Sequence, residues 1–319
     1  MAMLNPADLL RAGLLHLSES ERVRSTIVKA PISRDVVSRF VAGDDTEDAV
    51  HVASVLRQTG RLATIDYLGE YTTDPAQAEH TRDAYLDLLR RLGEENLSQH
   101  GQGEVSLKLS ALGQSLAVDG DAIALENARQ ICALAEQVGT TVTLDMEDHT
   151  TTDRTLEAAR ALRQDFPWVG VVLQSQLRRT EADCRDFATE GSRVRLCKGA
   201  YQEPESVAYQ DSSDVDLAYV RCLKILMAGP GYPMLATHDP RLVSIGYTLA
   251  EQQQRAPETF EFQMLFGIRP DEQKRIADRG NIMRVYVPYG DEWYGYLMRR
   301  MAERPANTAF FLRALATKG

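Results

Sequence analysis

From residue 61 onward, short runs of β-branched and aliphatic residues alternate with longer amphipathic stretches. The short runs are 62–68, 105–110, 141–146, 170–175, 194–198, 233–238, 260–266 and 281–287. Between them lie segments of helical period, among them 75–92, 121–138, 153–166, 214–227, 240–254 and 270–277. Asp74 is placed to cap the first, and Pro75 suits its opening turn, where a missing N–H costs nothing. Eight strands, nearly all followed by a helix, predict an α/β fold of the (βα)8 TIM-barrel type. A doubly wound sheet would need fewer strands, and no GxGxxG follows any of them. Residues 1–60 read differently. Leu9, Leu10, Leu14, Leu15 and Leu17 fall in one helical run, and Ser18-Glu19-Ser20-Glu21 has capping-box spacing. Asp44 or Asp45 is placed to cap a further helix running to Gly60, with Val52, Val55 and Leu56 expected inward. The expected organisation is an N-terminal helical segment, 1–60, followed by the barrel, 61–319.

Strands of a parallel barrel are covered on both faces and should be continuously apolar. Several of these are not. Ser106, Lys108 and Ser110 alternate with Val105, Leu107 and Leu109, so period-two geometry puts the polar three on one face. Thr143, Asp145 and Glu147 share a face in the next run. Gln174 comes late in strand four, Arg195 lies in strand five, Thr237 and His238 end strand six, and Tyr286 lies in strand eight. The outer face must pack on helices, so these polar groups are expected to point into the barrel. There a charge is costly unless paired. Their position near the strand carboxyl ends is where barrel enzymes build their sites.

A last helix is expected after strand eight. Asp291 can cap it, Glu292 suits its first turn, and Pro305 stops it. Tyr296, Arg299, Arg300 and Glu303 fall at i, i+3, i+4 and i+7, on one stripe, while Trp293, Leu297 and Met301 lie on another. Two adjacent guanidiniums beside a phenol and a carboxylate can grip a small carboxylate in a fixed fork. Taken alone, the stripe also describes a solvated face with i,i+4 ion pairs.

Composition narrows the function classes. The chain has 319 residues, 44% hydrophobic and 26% charged, which is ample for one barrel core. Its net charge is −10 and it has no basic run, which argues against nucleic acid as a partner. Cys132, Cys184, Cys197 and Cys222 are scattered, without a CxxC, and read as reduced thiols of a cytoplasmic protein. No signal-peptide pattern is present, and no apolar run approaches the roughly 20 residues that span a bilayer. Peripheral contact with the inner face of a membrane stays open. No metal constellation stands out: Asp145, Glu147, Asp148 and His149 cluster, but adjacent strand residues face opposite ways. Ser110 and Ser175 lack a partner base. Lys108 and Lys198 are each candidates for a Schiff base, so a barrel aldolase is one alternative.

The stretch Arg195-Leu196-Cys197-Lys198-Gly199-Ala200-Tyr201 closely resembles the R-L-V-K-G-A-Y signature of proline dehydrogenases. The resemblance runs along the whole barrel. It includes Asp66-Tyr67-Leu68-Gly69-Glu70, Ser106–Leu112, Asp145-Met146-Glu147, Ala236-Thr237-His238, Phe262–Gly267, Tyr296–Arg300, Glu303 and Ala306-Asn307-Thr308. It implies a monofunctional bacterial member with a distorted barrel that binds FAD at the strand carboxyl ends and carries the last helix over its mouth. The implied reaction is oxidation of L-proline to Δ1-pyrroline-5-carboxylate, the first step of proline catabolism. A hydride passes from C5 to flavin N5, and the electrons go on to a membrane quinone. By resemblance, Arg299, Arg300 and Lys108 clamp the proline carboxylate, and Tyr201, Leu265, Tyr286 and Tyr296 wall the ring. Asp145 lies on the pocket floor and is a candidate proton acceptor. Gln174, Arg195, Lys198, Gly199, Ala200, Thr237 and His238 hold the FAD, with Glu303 at its ribityl chain. Arg195 also offsets the charge that develops on flavin reduction. Glu70 resembles a glutamate that pairs with the first arginine, Arg299, when the site is closed. Gln202 stands where the signature often carries Trp on the adenine side, and Phe266 replaces a residue that is often polar in bifunctional members. The bulk of the Tyr286 phenol implies proline over 4-hydroxyproline, whose oxidation is the other alternative.

Overall fold

The computed structural model describes residues 37–303. The first two expected N-terminal helices, Pro305 and the 306–308 motif lie outside the described residues.

Eight parallel strands close in sequence order into one barrel. They are β1 (Leu62–Tyr67), β2 (Gly103–Leu107), β3 (Val142–Leu144), β4 (Gly170–Gln174), β5 (Arg193–Cys197), β6 (Tyr232–Ala236), β7 (Glu261–Leu265) and β8 (Ile282–Tyr289). The seam is the longest pairing, from Leu62 opposite Arg284 to Tyr67 opposite Tyr289. The expected TIM-type barrel is the fold found. Its helices are α1 (Thr46–Gln58), α2 (Pro75–Glu94), α3 (Gly120–Val138), α4 (Thr152–Leu162), α5 (Thr180–Phe187), α6 (Ser212–Ala228), α7 (Pro240–Gln252), α8 (Pro270–Asp278) and α9 (Trp293–Glu303).

The caps act where local chemistry places them. The Asp45 side chain accepts from Asp48 N at 3.0 Å and starts α1. Asp74 accepts from Ala76 N at 3.0 Å ahead of Pro75. Helix α2 buries Ala78, Thr81, Tyr85, Leu88, Leu89 and Leu92, a stripe of helical spacing facing the strands. In α1 the inward residues are Ala49, Val50, Ala53 and Leu56. Of the three expected inward, Val55 is 43% exposed and Val52 is half-buried. The small alanines let α1 lie close against β1 and β8; Val52 still packs against the core edge, and Val55 alone turns outward. Helix α5 has no counterpart in the expected pattern. It is one short, mostly polar segment, and its buried face includes Thr180, Asp183 and Cys184.

Several strands end earlier than their apolar runs. Lys108 and Ser110 follow β2, Asp145 and Glu147 follow β3, and Glu70 follows β1. These groups therefore lie on the first turns above the barrel, with their backbones already leaving the sheet. The turn from β8 into α9 needs Gly290, whose φ is +108° and where a Cβ would fall 3.0 Å from the Tyr67 ring. Helix α9 then folds across the carboxyl ends of the strands. Its Trp293, Tyr294, Tyr296, Leu297 and Met298 join Phe40, Val41, Leu68 and Ile268 in an apolar cluster of their own, with Leu265 and Tyr286 packed against it. Tyr296 thus shares the packed face with Trp293 and Leu297 instead of standing on a separate stripe.

Candidate active site

Deep in the barrel lies a layer of charge. Glu104 on β2 accepts from Arg193 at 2.6 Å and from Arg195 at 3.4 Å, both on β5. Arg284 on β8 bonds Glu261 on β7 at 2.8 Å and reaches the Ala63 and Gly101 carbonyls. Burial alone would raise the Glu104 carboxyl, but three guanidiniums, Arg284 foremost, hold it down at about 2. The layer forms a rigid floor of paired ions.

Above it, one hydrogen-bonded cluster joins five strands or their ends. Arg195 Nη1 donates to Asp145 Oδ1 at 2.7 Å and to Ser106 Oγ at 2.8 Å, and Nη2 reaches Thr64 Oγ1 at 3.2 Å. Ser106 Oγ lies 2.8 Å from the same Asp145 oxygen. Tyr286 donates to Asp145 Oδ2 at 2.7 Å. Lys108 Nζ donates to Asp66 Oδ2 at 2.5 Å, stands 3.4 Å from the Tyr286 hydroxyl and 3.8 Å from Asp145. The Tyr85 hydroxyl, carried in from α2, lies 3.2 Å from the other Asp66 oxygen.

Burial would discharge Lys108, but Asp66 and then Asp145 raise its ammonium above the usual lysine value. It is therefore a charged amine at neutral pH, and a Schiff base at Lys108 loses its chemical basis. Lys198 is likewise ion-paired, to Asp216 at 2.5 Å and Asp239 at 3.3 Å. Burial, followed by the Asp145 charge, pushes the Tyr286 phenol far up, so it stays protonated and donates.

The next turns up carry Ser110, Glu147 and Glu70. Ser110 Oγ donates to Glu147 Oε1 at 2.6 Å. Burial first, and Glu70 second, push the Glu147 carboxyl up to about 7. On the adjacent β4, Gln174 Nε2 donates to the Glu147 carbonyl at 2.7 Å. His238 Nε2 accepts from Leu265 N at 3.0 Å, which places its ring proton on Nδ1. Thr237 Oγ1 accepts from Asp239 N at 3.1 Å. Gly199 has φ +115°, and a Cβ there would fall 2.2 Å from the Gln176 side chain. That close approach explains the glycine after Lys198. Ala200 and Tyr201 follow it, half-buried.

The structure thus joins Lys108, Asp145, Arg195 and Tyr286 directly. It sets Glu70, Leu265 and Tyr296 around the mouth, with Gln174, Lys198, Thr237 and His238 at the carboxyl ends of β4, β5 and β6. Arg299, Arg300 and Glu303 lie on the last turns of α9, and their side chains lie outside what is described. Sequence reasoning left out Asp66, Ser106, Glu104, Asp216 and Asp239 as working parts. Thr64 and Asp66 alternate with Ala63, Ile65 and Tyr67, so the period-two rule that exposed Lys108 would have found Asp66. Nothing local marks Asp216, a helix residue.

A family model described as proline dehydrogenase matches residues 49–313. The chain belongs to the proline dehydrogenase family. This family is a class of flavoenzymes. Proline dehydrogenase 1 of Bacillus subtilis is 38% identical over 310 residues, 97% of this chain and 100% of the relative. The proline dehydrogenase of Deinococcus radiodurans is 38% identical over 283 residues, 88% of this chain and 90% of the relative. Among solved structures, proline utilization A (PutA) from Bdellovibrio bacteriovorus inactivated by N-propargylglycine superposes with a TM-score of 0.78 and 25% identity. That match covers 92% of this chain and 36% of the other, so the chain spans about a third of that protein. Among the described residues, this family member has no helix long and apolar enough to cross a membrane.

Proposed function

We propose that the chain oxidises L-proline to Δ1-pyrroline-5-carboxylate, with FAD as hydride acceptor and a membrane quinone as the final acceptor, reached by peripheral contact. One observation carries this reading: in a chain of this family, Lys108, Asp145, Arg195 and Tyr286 form one bonded cluster at the barrel mouth beneath α9.

The residues present fit a flavin. Arg195 Nε is buried and has no hydrogen-bond partner among the described residues, so one donor of this otherwise saturated guanidinium is left over. Lys198, Gly199 and Ala200 after β5, Gln174 on β4, and Thr237 and His238 after β6 are the residues that would hold the cofactor, with Glu303 assigned to its ribityl chain by the family resemblance. FAD, when bound, supplies the two-electron acceptor.

The chain's own groups do the rest. Arg299, Arg300 and the Lys108 ammonium bind the carboxylate of proline, and Glu70 meets Arg299 as the site closes. Tyr201, Leu265, Tyr286 and Tyr296 exclude water from the ring. The three cations disfavour the substrate's ammonium and so favour the neutral amine whose lone pair drives hydride loss. Both Asp145 oxygens already accept hydrogen bonds, from Ser106, Arg195 and Tyr286. We therefore assign Asp145 to orienting these groups and not to receiving the proton.

The test is one spectrum. The purified protein is expected to be yellow, with its visible flavin band bleached by L-proline under anaerobic conditions and bleached more slowly by 4-hydroxyproline. A colourless protein trapped by borohydride with substrate would identify an aldolase instead. Faster bleaching by hydroxyproline would reassign the substrate.

A further inference from the structure

The loop between β1 and α2 carries Glu70, and the structure shows what holds it. Tyr71 has φ +53°, a left-handed conformation that a bulky residue rarely adopts. The residue is 42% exposed, so burial does not hold it there. Ser110 does. Tyr71 N donates to Ser110 Oγ at 2.9 Å, and Thr72 N donates to the Ser110 carbonyl at 3.1 Å. The Ser110 hydroxyl then donates to Glu147 Oε1 at 2.6 Å, and Ser110 N approaches Oε2 at 3.3 Å. The Glu147 backbone is fixed in turn by Gln174. The neighbouring Asp148 accepts from the Tyr71 hydroxyl at 2.9 Å.

Glu147 itself is 1% exposed and makes no ion pair among the described residues. Lys108 acts on it only at a distance, and Glu70 opposes its charge. Burying such a carboxylate is unfavourable, and what it gains in return is the Ser110 hydroxyl and amide. Its evident work is to order Ser110, and through Ser110 the strained loop.

We propose that Ser110 and Glu147 are positioning residues: they hold the β1–α2 loop in the strained shape that sets Glu70 in place for proline binding. The proposal rests on the reading that Glu70 serves proline binding, and it adds how that residue is put in place. Ser110 touches the loop backbone and Glu147 touches Ser110, and both act on the substrate only through Glu70.

The flavin-loaded enzyme is compared with Ser110→Ala, Glu147→Ala, Glu147→Gln and Glu70→Ala. Two readouts are taken: hydrogen exchange of the peptide covering residues 69–74, and KM and kcat for proline. Losing the Tyr71–Ser110 bond should speed exchange in that peptide about tenfold and raise KM about fivefold, as one lost hydrogen bond does, with kcat changing less than about twofold. Glu147→Gln keeps an oxygen for the Ser110 hydroxyl and should lie nearer the wild type than Glu147→Ala on both readouts. Unchanged exchange in Ser110→Ala overturns the proposal. So does faster exchange without a KM change where Glu70→Ala does raise KM: Glu70 then serves proline without needing this grip. If Glu70→Ala leaves KM unaltered, the reading of Glu70 fails and the proposal with it. Should Ser110→Ala not fold, the Glu147→Gln and Glu147→Ala pair decides by the same two readouts.

Discussion

Lys108→Met is expected to lower kcat/KM for proline by about a hundredfold, the loss of one charge-assisted bond to a carboxylate in a desolvated site. It should also destabilise the fold by about 3–5 kcal/mol, because Asp66 is left buried without its cation. The two losses can be separated. Burial already pushes the Asp66 carboxyl up even with Lys108 opposing it. Without the lysine it rises further, and the folded protein prefers it protonated. A carboxyl whose folded value lies above its unfolded value confers stability below the unfolded value and loses it as pH rises through the folded one. Urea unfolding of the variant should therefore show a deficit that shrinks as pH falls towards the usual carboxylate range. Adding Asp66→Asn should recover most of the stability at neutral pH and none of the activity. A single variant within about threefold of wild-type kcat/KM would remove Lys108 from proline binding.

The second large effect belongs to Arg195. Arg195→Met takes one donor set from Asp145, Ser106, Thr64 and Glu104 at once. Stability should fall by about 3–5 kcal/mol, the usual result of stranding a buried charge. With flavin restored in excess, kcat should still drop about a hundredfold, because the cation that offsets developing charge is gone. Flavin-to-protein absorbance ratios report retention, and turnover of the reloaded enzyme reports chemistry. Arg195→Lys should keep part of the charge effect but not the geometry, since one ammonium cannot span four partners on three strands. A Met variant that retains flavin and turns over normally would reduce Arg195 to a structural member of the ionic floor.

The two residues differ in how readily they could be recognised. Arg195 sits in a strand and in a family signature, and its polar face follows from alternation with Val194 and Leu196. Lys108 follows from alternation with Leu107 and Leu109. The strands and eight of the described helices were equally legible, through capping aspartates, proline starts and stripes of helical spacing. Helix α5 was not, because eight mostly polar residues give too short a period to read. Of the residues of α1 expected inward, Val55 was misjudged because small alanines can take the inner face instead.

Periodicity and capping act within a few residues, so the sequence by itself determined the eight-stranded barrel, its helix starts and which strand positions turn inward. It could not say which inward charge meets which. Lys108 pairs with Asp66 and not with a near neighbour. Glu104 is shared by Arg193 and Arg195, and Asp145 ties β3 to β5 and β8. Such pairings follow from strand stagger and closure, which bring side chains from distant parts of the chain into common layers inside the barrel. The tertiary structure alone decided that Lys108 is an ammonium paired with Asp66, and that Ser110 links Glu147 to the loop carrying Glu70. The cause is low-dielectric burial, where a charge persists only beside a partner that the chain supplies from elsewhere.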